Sequence, residues 1–167
     1  GIYSDIPPIQ YREEIKQLAV KLDDLNAKSL VEIGTAHGGN LYVLTRSLDA
    51  LETVVSIDIG AAVRYYDERT NFHSQFSESK DTHFLIENSH AESTRKQVEN
   101  LVPEIDILII DGDHSYDAAR ADFETYYDLV SDGGAIAIHD INNPNWKEGV
   151  VKLWTELSEE YEDTAEI

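Results

Sequence analysis

Ile105-Asp-Ile-Leu-Ile-Ile-Asp-Gly-Asp-His-Ser-Tyr116 is the stretch that decides the fold. Five of the six residues from Ile105 to Ile110 are isoleucine or leucine, and the run stops abruptly on Asp111. A strand apolar on both faces belongs in the middle of a parallel sheet, where helices cover each side. Working outward, Ser29 to Ile33, Thr53 to Ile57, His83 to Ile86 and Ala135 to Ile138 read as further strands. Each is followed at once by a glycine or a polar residue.

Helical spacing fills the gaps. Residues 9–25 carry Ile15, Leu18, Ala19, Leu22 and Leu25 on one face, and a second helix runs from Asn40 through Leu51 with Leu41, Leu44 and Leu48. Residues 60–76 predict a third, and Ala91 to Leu101 a fourth that ends before Pro103. Residues 115–130 form the next, closed by Asp132, Gly133 and Gly134, and Trp146 to Tyr161 the last, with Val150, Leu153, Trp154 and Leu157 on one side. Thr164 to Ile167 reads as the start of a sixth strand. Strands and helices in alternation require crossover connections, so the fold class is α/β: a Rossmann-like, doubly wound, mostly parallel sheet with helices on both faces, open to truncation at its C-terminal strands.

The chain has 167 residues, 41% of them hydrophobic, which supports one core rather than two. Residues 1–27 are then an N-terminal helical segment of the same domain as 28–167. Asp and Glu number 33 against 13 Lys and Arg, for a formal net charge of −20. Such a field disfavours nucleic acid and anionic lipid as partners. It is spread along the chain, and a salt-rich cytoplasm, which screens self-repulsion, is one source that fits it; an acidic protein of an ordinary mesophile is the other. No cysteine is present, which excludes disulfides, thiolate metal sites and cysteine nucleophiles. No apolar run reaches the roughly 20 residues of a membrane span, and a cytoplasmic protein is expected. The chain begins at Gly1 and contains no methionine, as a trimmed sequence would.

In doubly wound sheets ligands sit beyond the carboxyl ends of the strands, where the strand order reverses. The residues to weigh are therefore Glu32 to Gly39, Asp58, Glu87 to His90, Asp111 to His114 and His139 to Asn142. Glu32-Ile-Gly-Thr-Ala-His-Gly-Gly39 is a small-residue turn that lets backbone approach a ligand closely. A dinucleotide fingerprint would need glycine at Gly34, Ala36 and Gly39, and the alanine counts against a nicotinamide cofactor. Glu32 suits a ligand with a cationic end, and Asp58 is placed to accept both hydroxyls of a ribose.

These segments, with Ser56-Ile-Asp58 and Asp132-Gly-Gly-Ala-Ile-Ala-Ile-His-Asp140, resemble the class I S-adenosylmethionine-dependent methyltransferases. Within them the likeness is to methyltransferase family 24, which is similar to cephalosporin hydroxylase-type proteins and sugar O-methyltransferases; it covers about residues 28–157. The resemblance implies that Gly34, Thr35, Ala36 and Gly38 wrap the methionine part of the donor, with Glu32 and Asp111 beside it. Asp58 would hold the ribose, Ile59 would cover the adenine, and Ser89 and His90 would lie at the adenine edge.

Methyl transfer needs donor and acceptor in line and an acceptor made nucleophilic by a base or a metal ion. The catalytic candidates are His139, His114 and Asp111. Asp111, His139 and Asp140 could instead hold Mg²⁺ or another divalent cation such as Mn²⁺, with Asn142 or Asp113 completing the shell. Asp113 and Ser115 also suit a helix cap. His37, His73 and His83 read as surface residues, and Trp146, Trp154 and Tyr65, Tyr66, Tyr126 and Tyr127 as core. The sequence thus points to methyl transfer onto a small molecule, most readily at oxygen. A non-catalytic binder of the donor is the alternative from another class, and an NAD-dependent oxidoreductase the lesser one. Few residues remain to build an acceptor lid, so a partner subunit, as in a homo-oligomer, or a missing end would complete the site.

Overall fold

The computed structural model describes residues 12–60 and 80–167. The elements run α1 (Arg12–Asp23), β1 (Ser29–Ile33), α2 (Gly39–Ser47), β2 (Thr53–Ile57), β3 (Asp81–Leu85), α3 (Glu92–Leu101), β4 (Ile105–Ile110), α4 (Tyr116–Tyr126), β5 (Val130–Ile138) and α5 (Val150–Glu160). Short 3-10 turns at Tyr127–Leu129 and Pro144–Trp146 precede β5 and α5. The described strands form one sheet in the order β3-β2-β1-β4-β5, every pair parallel. The expected doubly wound α/β architecture is therefore present. The helix read over residues 60–76, with Tyr65, Tyr66 and His73, falls outside the described residues beyond Gly60.

Strand alternation divides the core between two faces. Leu30, Val54, Ile107 and Ile109 pack against Ile15, Ala19 and Leu22 of α1 and Leu41 and Leu44 of α2. On the other face Val31, Ile33, Val55, Ile57, Leu108 and Ile110 meet Val98 of α3 and Tyr126 of α4. α5 docks on α4 through Val150, Leu153, Leu157 and Ala119. β1 and β4 adjoin, although β1 leads to β2 and β4 leads to β5, so the order reverses between them. That reversal opens the crevice where ligands bind such sheets.

Several boundaries move. α2 stops at Ser47 because Leu48 is already extended, with φ −100° and ψ 92°. β3 starts at Asp81, two residues ahead of the apolar run, because Asp81 and Thr82 continue the ladder to Thr53 and Val54. β5 begins at Val130 rather than Ala135: Ile105 pairs with Val130 and Ile107 with Ala135, so residues between form a bulge. α5 begins at Val150, after the 3-10 turn at Pro144. Thr164 to Ile167 forms no strand; instead Trp154 Nε1 donates to Glu166 Oε1 at 3.0 Å.

Candidate functional site

The strand registers align Ile57 with Ile33, Ile33 with Ile110, and Ile110 with Ile138. Four backbone bonds carry the ladder one residue further: Asp58 N–H to Leu85, Gly34 N–H to Ile57, Asp111 N–H to Ile33 and His139 N–H to Ile110, at 2.9–3.0 Å. Asp58, Gly34, Asp111 and His139 therefore stand side by side along the carboxyl edge. The sheet, not a flexible loop, sets their spacing.

Gly34 sits where β1 meets β4, with φ +87°, and a Cβ there would lie 2.0 Å from the carbonyl oxygen of Asp111. Only glycine lets the two exits approach so closely. In the turn that follows, Ala36 adopts φ +45° and its N–H donates to Asp58 Oδ2 at 2.8 Å, while Gly60 N–H donates to Asp58 Oδ1 at 2.6 Å. The carboxylate read as a ribose acceptor thus also ties the glycine turn to the end of β2. Thr35 and Ser56 hydroxyls meet at 2.5 Å beneath the turn. Ile59 is 67% exposed beside Asp58.

Glu32 is only 1% exposed, and its Oε2 is buried without a hydrogen-bond partner. Burial, reinforced by the charges of Asp111 and Asp58, pushes its carboxyl up to about 8 despite the help of Thr35. The side chain is accordingly protonated at neutral pH.

At the β4 and β5 exits, His139 Nδ1 lies 2.7 Å from Asp111 Oδ1, and Asn40 Nδ2 donates to Asp111 Oδ2 at 3.4 Å. Burial works against an imidazolium at His139, but the Asp111 hydrogen bond and charge outweigh it and raise the His139 pKa above its usual value. His114 Nε2 is 3.6 Å from Asp111 Oδ1 and 3.3 Å from Asp140 Oδ2, yet it is buried and makes no hydrogen bond. Asp111, His114 and His139 offer ligand atoms all within 4.8 Å of one another. Asp140 flanks them, 4.0 Å from His139 Nε2 and held at φ +58°.

Two residues were undervalued in the sequence. Trp146, read as core, is 40% exposed and stacks on His114 with ring centroids 5.0 Å apart. Asp122, on the buried face of α4, accepts from Ser89 Oγ at 2.6 Å, and its Oδ1 lies 3.0 Å from His90 Nε2. A carboxylate on an otherwise core-facing helix position was the available signal. Asp113, not Ser115, makes the polar contact at the α4 start, accepting from Ser115 N–H at 2.8 Å. His37 is exposed, and His83 pairs with Asp81 toward the opposite end of the sheet. A groove of about 1110 Å³ follows the free edge of β5 and reaches His139, Asp140 and Asn142. Among the described residues no helix is long and apolar enough to cross a membrane.

A family model described as a methyltransferase domain matches residues 31–141. An uncharacterized protein of Acanthamoeba polyphaga mimivirus is 30% identical over 130 residues, which are 77% of this chain and 57% of that protein; the chain spans little more than half of that relative. An O-methyltransferase of Bacillus cereus, solved in complex with S-adenosylhomocysteine, superposes with a TM-score of 0.65 at 20% identity, over 96% of this chain and 76% of its own. MycE, a methyltransferase of mycinamycin biosynthesis solved with Mg and S-adenosylhomocysteine, gives 0.63 at 18% identity, over 86% and 42%. Both share the fold described above.

Proposed function

The chain belongs to the methyltransferase domain family, and from that membership we propose that it transfers the methyl group of S-adenosylmethionine to a hydroxyl oxygen of a small-molecule acceptor. The observation that carries the reading is the row Asp58, Gly34, Asp111, His139 along one sheet edge. A donor with its ribose at Asp58 and its methionine part over the Gly34 turn has its methyl group directed toward Asp111 and His139. Glu32 lies under the turn, where a cationic amino group would draw it into its ionised form.

His139 is the base. Asp111 accepts from Nδ1–H and so fixes the tautomer that leaves Nε2 free to take a proton. As the acceptor oxygen forms its bond to the methyl carbon, its proton passes to Nε2; the carbon–sulfur electron pair returns to sulfur, and S-adenosylhomocysteine leaves neutral at that atom. Holding the three centres in line supplies much of the acceleration.

The same residues fit a divalent cation. His114 Nε2 is a buried nitrogen without a hydrogen bond, facing two carboxylates, and this is a donor set that an ion satisfies. As an alternative to the base role of His139, Asp111, His114 and His139, with Asp140 beside them, would hold it. A bound ion lowers the pKa of a hydroxyl it touches. MycE, which was solved with Mg, is one fold relative that carries such an ion.

The test is methyl transfer from labelled donor to a panel of hydroxylated acceptors, with and without chelator. His139→Ala is expected to lose about 10²- to 10⁴-fold in kcat while binding S-adenosylhomocysteine within about threefold of the parent. A variant that keeps the parental rate contradicts the assignment of the base.

A further inference from the structure

The His114 imidazole is buried at Nε2, which lies 3.3 Å from Asp140 Oδ2 and 3.6 Å from Asp111 Oδ1 and is hydrogen-bonded to neither. Among the described residues, rings rather than hydrogen bonds set its plane. Trp146 stacks on it with centroids 5.0 Å apart and 21° between the planes, and His139 meets it edge-on at 6.1 Å. Trp146 belongs to none of the apolar clusters of the core and is 40% exposed, so core packing does not account for the contact. A histidine that ligates a metal ordinarily has its ring fixed by a hydrogen bond from its second nitrogen. At His114 a flat indole takes that place.

The indole stands on a fixed platform. Trp146 N–H donates to the Asn143 carbonyl at 3.0 Å, and the Trp146 carbonyl accepts from Gly149 N–H at 2.9 Å. Asn143 Oδ1 accepts from Asn145 N–H at 3.1 Å, which closes the turn from the side. The same loop is tied to His114 itself: Val150 N–H donates to the His114 carbonyl at 2.9 Å, and a Cβ at Gly149 would lie 2.0 Å from that oxygen. The loop opens with His139 and Asp140, and Asn143 N–H reaches back to the Asp140 carbonyl at 3.1 Å. One loop, residues 139–149, therefore supplies both the Asp140 carboxylate and the ring that lies against His114.

We infer that Trp146 is a positioning residue for a divalent cation, holding the His114 ring so that Nε2 stays beside Asp111 and Asp140 before the ion arrives. The inference rests on the cation reading above. Indole offers only an N–H donor and no ligand atom, so its effect passes through His114. Without the stack the imidazole turns about its two side-chain torsions, and the ion has to order it on binding; a ring already in place removes that cost. The requirement is for a flat ring and not for apolar volume. Phenylalanine can lie against an imidazole face, whereas leucine cannot fix its plane.

Calorimetric titration of the full chain with Mn²⁺, and separately with S-adenosylhomocysteine, tests this. Trp146→Leu is expected to weaken Mn²⁺ binding by about tenfold or more, as loss of the groups that orient metal ligands does. Trp146→Phe is expected to stay within about threefold of the parent, because the flat ring remains. Both variants are expected to bind S-adenosylhomocysteine within about threefold of the parent, as a site with no shared partner does. Equal Mn²⁺ losses in the two variants, parental Mn²⁺ affinity in Trp146→Leu, or loss of S-adenosylhomocysteine in step with Mn²⁺ overturns the inference. Should Trp146→Leu fail to fold by circular dichroism, Trp146→Gln makes the same comparison with Trp146→Phe, and the same outcomes decide. Parent protein that does not bind Mn²⁺ overturns the cation reading and this inference together, while its S-adenosylhomocysteine titration judges the donor reading separately.

Discussion

At the scale of single residues, the fold shifts the protonation of two groups at the sheet edge, Glu32 and His139. Glu32 is the clearest. Its carboxyl titrates normally in the unfolded chain, near 4.5, and near 8 in the folded protein. The protonated form is the one the fold tolerates, so its contribution to stability is complete below about pH 4.5 and is lost as pH rises through 8. Each unit of difference corresponds to about 1.4 kcal/mol. Glu32→Gln, neutral at every pH, is expected to remove most of that decline, and thermal melts of both proteins from pH 5 to 8 read it directly. Parallel curves for parent and variant would show that Glu32 is ionised in the folded state. The His139 pKa is raised too, against burial, by the Asp111 hydrogen bond and charge, which keeps the imidazole protonated at its usual titration point near 6.5; if it is the proposed base, turnover should climb only as pH passes above that value.

At the scale of elements, β4 carries the fold as its sequence indicates. Leu108 is fully buried between helices, and Leu108→Ala is expected to cost about 2–5 kcal/mol in urea unfolding. Val20, on the outer face of α1 and 67% exposed, should lose no more than about 0.5 kcal/mol when cut to alanine. Equal losses would contradict the layered core. The strands were legible because a buried parallel strand leaves an unbroken apolar run, and the strand-exit rule then located Glu32, Gly34, Asp58, Asp111 and His139 together. The edges of the elements were not legible, because they depend on partners distant in sequence. Gly133 and Gly134 read as a helix stop, but Asp106 Oδ1 accepts from Ser131 Oγ at 3.0 Å and its Oδ2 from the Lys28 and Ser29 N–H groups, which holds the start of β5 to its neighbours across a bulge. Trp146 was misread for a similar reason. It reads as core at the start of a helix, whereas it lies in the turn at Pro144, where it stacks on His114. Asp122 was passed over because a lone acid on a helix usually faces water.

At the scale of the molecule, one parallel sheet brings Asp58, the Gly34 turn, Asp111 and His139 to a common edge, and its order places the crevice between β1 and β4. A chain with a net charge of −20 attracts a sulfonium and repels a pyrophosphate at long range, in keeping with the alanine at Ala36 and the acid at Glu32. Calorimetry with S-adenosylhomocysteine and with NAD, at one salt concentration, is the most direct test of that edge. Micromolar binding of the thioether nucleoside at one site per chain, with no heat from NAD, is the predicted result. NAD binding, or the absence of any heat from S-adenosylhomocysteine, would contradict it.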